Sequence, residues 1–152
     1  MTVLGFDQST TKSGFSVFCD GKYQSSGVIN YSKMKEADKR ICVMAEHICS
    51  VIDEIQPDMV VIEDIFENSN VQTLVALGRL QGMIILHCYE KKCPLKILMP
   101  SSWRKILGMK NGKRADMKAA AIKYVEDNMG FTASADEADA VCITQASIKN
   151  NL

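Results

Sequence analysis

The sequence predicts an α/β fold in which a five-stranded mixed sheet, three antiparallel strands followed by two parallel ones, is flanked by helices. Three observations predict it. Between Val3 and Asn30 the chain holds three strand-length runs joined by short polar turns. Beyond them, stretches with helical spacing alternate with two further short apolar runs. Finally, 152 residues that are 47% apolar and 24% charged suit a folded chain with a substantial core, expected as a single domain over 1–152.

The first run, Val3-Leu4-Gly5-Phe6-Asp7, is apolar until it closes on a carboxylate. A buried strand of this kind delivers Asp7 to a sheet edge, because a carboxylate is rarely buried without partners. A polar loop leads to Gly14-Phe15-Ser16-Val17-Phe18-Cys19, whose alternation reads as a half-buried strand. Asp20-Gly21 is a hairpin signal, and Tyr23 to Asn30 is the returning strand. From Met34 to Gln56 the residues Ile41, Met44, Ile48, Val51, Ile52 and Ile55 recur at helical spacing, and Pro57 ends the run. Met59 to Ile65 is apolar except for Glu63 and Asp64, as in a strand covered on both faces, and its place after a helix favours parallel pairing. Asn68-Ser69-Asn70 offers caps for a helix from Val71 to about Lys92. The second half of that helix, Leu80 to Leu86, is apolar nearly all round, with Gly78 and Gly82 one turn apart, so it belongs either in the core or against another subunit. Pro94 closes it. Leu95 to Met99 is the last strand, Pro100-Ser101-Ser102-Trp103 opens a short helix, Gly108 to Gly112 is a break, and Lys113 to Met129 is helical by composition. Ser134 with Glu137 three residues on forms a capping box for a final helix. With the short piece after Pro100 left aside, the order β-β-β-α-β-α-β-α-α matches a ribonuclease H-like arrangement, in which the first strand is central and neighbours the fourth. That adjacency sets Asp7 beside Glu63.

No apolar run is expected to span a membrane, and the chain starts on a strand instead of a signal segment, so a cytoplasmic protein is expected. Six cysteines without a Cys-x-x-Cys pair indicate neither a disulfide framework nor a zinc site, and most are expected to be small buried residues. The formal net charge is zero, yet its distribution is uneven. From Lys91 to Lys123 ten bases face one acid, Asp116, which leaves that segment at +9 and the remainder at −9. An acidic centre beside a basic segment can hold cations and a polyanion together; a solvated lysine-rich helix face has the same composition.

Three segments supply the acids: Asp7, the pair Glu63-Asp64, and Asp136 with Asp139, which lie three apart on one helix face. Clustered carboxylates repel unless something compensates them, and a divalent cation is the simplest compensation. Oxygen-only ligands select hard ions, Mg²⁺ with Mn²⁺ as a substitute, and two such ions about 4 Å apart suit phosphodiester hydrolysis. Glu63 and Asp64 point to opposite faces of their strand, so the pattern alone leaves either as the ligand. Glu137 is assigned to the capping box.

Gly5-Phe6-Asp7-Gln8-Ser9 with Gly14, Val61-Ile62-Glu63-Asp64-Ile65-Phe66, Leu77-Gly78-Arg79-Leu80-Gln81-Gly82, and Ala135-Asp136-Glu137-Ala138-Asp139-Ala140 together resemble the RuvC family of Holliday-junction resolvases, in register from Thr2 to about Lys149. The Trp-Arg-containing basic segment is more similar to phage-type members. The resemblance implies that Asp7, Glu63, Asp136 and Asp139 form a metal-binding catalytic tetrad, choosing Glu63 over Asp64. It implies that Phe66 contacts unpaired bases at a crossover, that Lys118 lies near the scissile phosphate, and that Arg104, or Lys105 in its place, is a second basic residue there. Lys113 and Arg114 join these in the basic segment expected on DNA. The helix Val71 to Lys92 is implied as a homodimer interface. The function so implied is a metal-dependent, structure-selective crossover junction endodeoxyribonuclease that resolves four-way and related branched DNA junctions by paired nicks in recombination and repair, in the cytoplasm of a bacterial cell or a phage-infected host. The alternatives are a non-catalytic branched-DNA-binding protein of the same fold, or a fragment of an actin-like, sugar-kinase-type phosphotransferase, whose phosphate-binding hairpin Asp7 to Ser13 also resembles.

Overall fold

The computed structural model describes residues 1–66 and 70–150. Strands β1 (Thr2–Asp7), β2 (Lys12–Cys19) and β3 (Lys22–Asn30) are followed by α1 (Ala37–Ile55), β4 (Met59–Glu63), α2 (Val71–Glu90), β5 (Leu95–Leu98), α3 (Pro100–Ile106), α4 (Arg114–Met129) and α5 (Ala135–Lys149). The sheet order is β3-β2-β1-β4-β5, with β1 antiparallel to β2 and parallel to β4. The predicted mixed sheet is thus the observed one.

Local chemistry accounts for the joints. Asp20 and Gly21 both take positive φ (49° and 76°), as a tight hairpin turn between twisted strands requires. Gln56 closes α1 in the left-handed region at φ 48°, directly before Pro57. The Asn70 side chain accepts the Thr73 N–H at 2.9 Å and caps α2, while Asn68 and Ser69, the other two expected caps, lie outside the described residues. Ser134 and Glu137 form the expected capping box on α5, and Glu137 also accepts the Ser26 hydroxyl at 2.6 Å, which ties the helix start to β3.

Two cores form on opposite faces of the sheet. On one, Leu4, Phe6, Val60 and Ile62 meet Met44 and Ile48 of α1 and Leu80 and Ile84 of α2. On the other, Val3 and Val61 meet Trp103 of α3, Ala121 and Val125 of α4, and Ala138, Val141 and Ile143 of α5. The last helix lies unusually close to β1 and β2 because small residues face it. A Cβ on Gly5 would stand 1.8 Å from Thr144 Oγ1, and one on Gly14 would stand 1.9 Å from the Asp136 carbonyl oxygen. Ser16, between them, donates its hydroxyl to Ala140 O at 3.0 Å and meets Thr144 Oγ1 at 2.7 Å.

Several expectations are corrected. α1 starts at Ala37 instead of Met34, since the Met34 carbonyl is occupied by the Arg40 guanidinium at 2.8 Å. Only Cys88 and Cys142 are buried; Cys42 is exposed and the other three are intermediate. α2, at 20 residues, is long and apolar enough by length and composition to cross a membrane, contrary to the expectation that no run would be. Leu80, Ile84 and Cys88 of α2 pack into the core, while Val71, Val75, Met83, Ile85, Leu86 and Tyr89 stay exposed.

Candidate active site

Asp7 ends β1 and Glu63 ends β4, and the parallel register that pairs Phe6 with Ile62 carries the two carboxylates side by side to the same sheet edge. Alternation decides which way they face. Val3 and Val61 belong to the core beneath α5, so Asp7 and Glu63, in step with them, face α5. Asp64 falls on the other parity, and its Oδ1 accepts the Ile65 N–H at 2.8 Å. Gln8 extends the ladder past the strand ends: its side-chain amide donates to Glu63 O at 2.5 Å and accepts from Glu63 N at 3.2 Å. The backbone of Glu63 is therefore clamped from β1.

Asp136 and Asp139 come from the first turns of α5, which the Gly5, Gly14 and Ser16 contacts press onto the sheet. Asp7, Glu63, Asp136 and Asp139 line one cavity of about 190 Å³ together with Arg104, Arg114, Met117 and Lys118. A neighbouring cavity of about 500 Å³ shares Glu63, Arg104, Arg114 and Met117 with it and is bordered by Phe66, whose side chain is left 56% exposed. Of the expected basic residues, Arg104, Arg114 and Lys118 line the cavity with the acids. Lys105 and Lys113 are exposed and line neither cavity. A larger cleft of about 600 Å³, lined by Asp53, Pro57, Lys91 and Cys93, contains none of the expected residues.

Burial and mutual repulsion dominate the electrostatics. Loss of solvent pushes the Asp7 carboxyl well above the usual carboxylate range, Asp139, Glu63 and Asp136 add repulsion, and Arg104 opposes the shift. Burial also raises Glu63, against a hydrogen bond from Trp103 and the charge of Arg104. Asp139 is raised by burial and then by Glu63 to about 7, with Arg104 and Lys118 pulling the other way. The three cations lining the cavity thus leave part of the acid repulsion uncompensated.

Among the described residues, no three His, Cys, Asp or Glu side chains are arranged to hold a metal ion as they stand. The donor chemistry nevertheless fits a hard divalent cation. The four lining acids are all oxygen donors, no His or Cys lines the cavity, and the raised proton affinity of Asp7, Glu63 and Asp139 marks a site that favours added positive charge.

Two contributors have only weak sequence signals. Gln8 is buried and grips Glu63 across 55 positions, and Trp103, fully buried, donates its indole N–H to Glu63 Oε1 at 2.7 Å across 40 positions. A polar residue directly after a strand-closing acid, and a lone tryptophan beside an arginine, were the available hints.

The model of the family described as crossover junction endodeoxyribonuclease RuvC matches residues 3–146. A crossover junction endodeoxyribonuclease RuvC of Corynebacterium diphtheriae is 33% identical over 147 residues, covering 92% of this chain and 89% of the relative. One from Rickettsia akari is 29% identical, covering 94% of each. Among solved structures, Thermus thermophilus RuvC in complex with a Holliday junction substrate superposes with a TM-score of 0.80 at 18% identity, over 99% of this chain and 95% of that one. The Fowlpox virus resolvase bound to Holliday junction DNA superposes with a TM-score of 0.72 at 12% identity, over 100% and 99%. At these identities the two structures speak for the fold, which they share from end to end.

Proposed function

The chain belongs to the RuvC family of crossover junction endodeoxyribonucleases, and from that premise we propose that it resolves four-way DNA junctions at the cavity where Asp7, Glu63, Asp136 and Asp139 meet Arg104, Arg114 and Lys118. It is a structure-selective, junction-resolving endonuclease of a metal-dependent family, and the phosphotransferase alternative gives way to that membership. The observation that carries the site assignment is the convergence of acids from three separated segments on one cavity whose remaining charged side chains are basic.

The reaction is phosphodiester hydrolysis: a water oxygen bonds to phosphorus, the bond to the 3′ oxygen breaks, that oxygen takes up a proton, and the phosphate remains on the 5′ end of the downstream strand. Divalent cations, Mg²⁺ with Mn²⁺ as a substitute, supply Lewis-acid polarisation of the phosphate and a more acidic water when bound. The four carboxylates are the groups that would hold them. Arg104, Arg114 and Lys118 face the same space and neutralise the phosphate that approaches it, since two negative partners do not meet without such countercharge. Exposed Phe66, at the border of the adjoining cavity, offers a ring face on which an unpaired base of the crossover stacks.

Two symmetric strands need two sites, and the exposed apolar side chains of α2, with the open surface at Gly78 and Gly82, suit a twofold dimer. The cytoplasm of a bacterial cell or an infected host is the compartment that fits this work. The direct test incubates synthetic four-way junctions with the protein and Mg²⁺, beside Asp7→Asn. Symmetric nicking that the substitution abolishes is expected. Nicking unchanged in Asp7→Asn removes the cavity from the reaction, and binding without nicking by the unaltered chain favours the non-catalytic reading.

A further inference from the structure

Trp103 stands behind the acid cavity and touches two of its charged side chains at once. The ring is fully buried. Its Nε1–H donates to Glu63 Oε1 at 2.7 Å, a charge-assisted bond that fixes one carboxylate oxygen and leaves the other for a ligand. The guanidinium carbon of Arg104 sits 4.4 Å above the centre of the same ring. Neighbours on a helix diverge by about 100°, so a side chain next to Trp103 has no reason to enter the same site unless something folds it back. Stacking on the indole does this, and a planar guanidinium suits it better than a lysine would. Arg104 also carries a buried Nε–H with no partner among the described residues, although it lines the cavity with Glu63. An orphaned charged donor at the rim of an acid site is set to meet an anionic oxygen.

We infer that Trp103 is a positioning residue for the reaction, holding Glu63 by its indole N–H and Arg104 by its ring face so that a cation ligand and a phosphate donor keep a fixed separation. The inference rests on the nuclease reading of this cavity. It adds a residue that touches neither metal nor DNA and explains why a tryptophan occupies the core here: a phenylalanine would fill much of the space but could not orient Glu63.

Trp103 is the only tryptophan in the chain, and this makes the test specific. Two variants are compared with the unaltered protein: Trp103→Phe, and protein in which biosynthetic incorporation replaces tryptophan by its benzothiophene analogue, of nearly the same shape but without the N–H donor. Both are expected to keep their far-ultraviolet dichroism and their metal-free affinity for junctions. Both should lose about 10- to 100-fold in single-turnover cleavage at limiting Mg²⁺, the range usual for groups that orient metal ligands, and recover part of the loss at high Mg²⁺. Independently of cleavage, Mg²⁺ added without DNA should change Trp103 emission in the unaltered protein and leave it unchanged in Glu63→Gln at the same concentration. An analogue protein that cuts at the unaltered rate throughout the Mg²⁺ series overturns the inference. So does tryptophan emission indifferent to Mg²⁺ concentrations that support cleavage. If the unaltered protein cuts no junction, the nuclease reading falls, and the emission response to Mg²⁺ still decides whether Trp103 reads the state of Glu63.

Discussion

Replacing Gly14 by alanine should inactivate the enzyme without unfolding it. The added Cβ would lie 1.9 Å from Asp136 O, 2.5 Å from its carbonyl carbon and 3.1 Å from Glu137 N, whereas ordinary contact begins near 3.4 Å. The obstacle is backbone at the start of α5, so no rotamer change relieves it, and about 1.5 Å of separation must be found, the difference between 3.4 and 1.9 Å. If α5 retreats, Asp136 and Asp139 retreat with it. If β2 retreats instead, it takes its register partner, since Gly14 pairs directly with Asp7. Either way Asp7 parts from the α5 acids. A displacement of about 1 Å at a reacting centre lowers rates on the order of 100-fold, equivalent to about 2.7 kcal/mol. Overpacking of this kind typically destabilises by about 1–3 kcal/mol, within what a domain of this size tolerates. Single-turnover cleavage of a four-way junction, read beside a urea unfolding curve, measures both. A folded Gly14→Ala protein that cuts within about threefold of the unaltered rate would refute the claim that Gly14 sets the spacing of the acids, since a 1 Å shift predicts far more.

The raised proton affinity of Asp139 predicts a stability that falls as pH rises in metal-free protein. Its folded value of about 7 lies above the ordinary 3.8, so the folded state holds a proton that the unfolded state releases, and the penalty grows from about pH 4 to pH 7 and is constant above. Asp139→Asn should therefore be more stable than the unaltered chain at pH 8 in EDTA, by at most about 4 kcal/mol, and indistinguishable from it near pH 4. Denaturant unfolding at the two pH values checks this, and equal differences at both would discard it. If α2 forms the proposed dimer interface, Leu86→Glu, on its exposed apolar face, should yield a folded monomer that binds a junction and loses coordinated nicking of its two strands, as sedimentation and paired-nick assays would report. A Leu86→Glu protein that remains dimeric moves the interface elsewhere.

Much of this fold is written in local signals. Period-two runs, the Asp20-Gly21 turn, the breaks at Pro57 and Pro94 and the Ser134–Glu137 box each act over a few residues, and the strands and helices they predict are present. The acids are legible for the same reason, as carboxylates at the ends of elements whose order implies a meeting place. What is not legible depends on which face of the sheet a later helix covers. Period two separates Glu63 from Asp64, but only the placement of α5 on the Val3 and Val61 side gives Glu63 the cavity. Arg104 and Lys105 are likewise inseparable by charge and differ because one lies over the Trp103 ring. Trp103 and Gln8 reach Glu63 across 40 and 55 positions, beyond the range of any spacing rule. α1 begins later than its apolar pattern because Arg40 folds back on Met34, a polar contact invisible to periodicity.

The intimate contact of α5 with β1 and β2 also sets an order of events during synthesis. Asp7 leaves the ribosome 132 residues ahead of Asp139, and on the proposed reading neither acts as a nuclease group without the other. A nascent chain can pair its first strands and display its lysines and arginines long before it can harm DNA. If the four acids act as proposed, cutting power arrives in one step, when α5 settles into the shallow bed left by Gly5, Gly14 and Ser16.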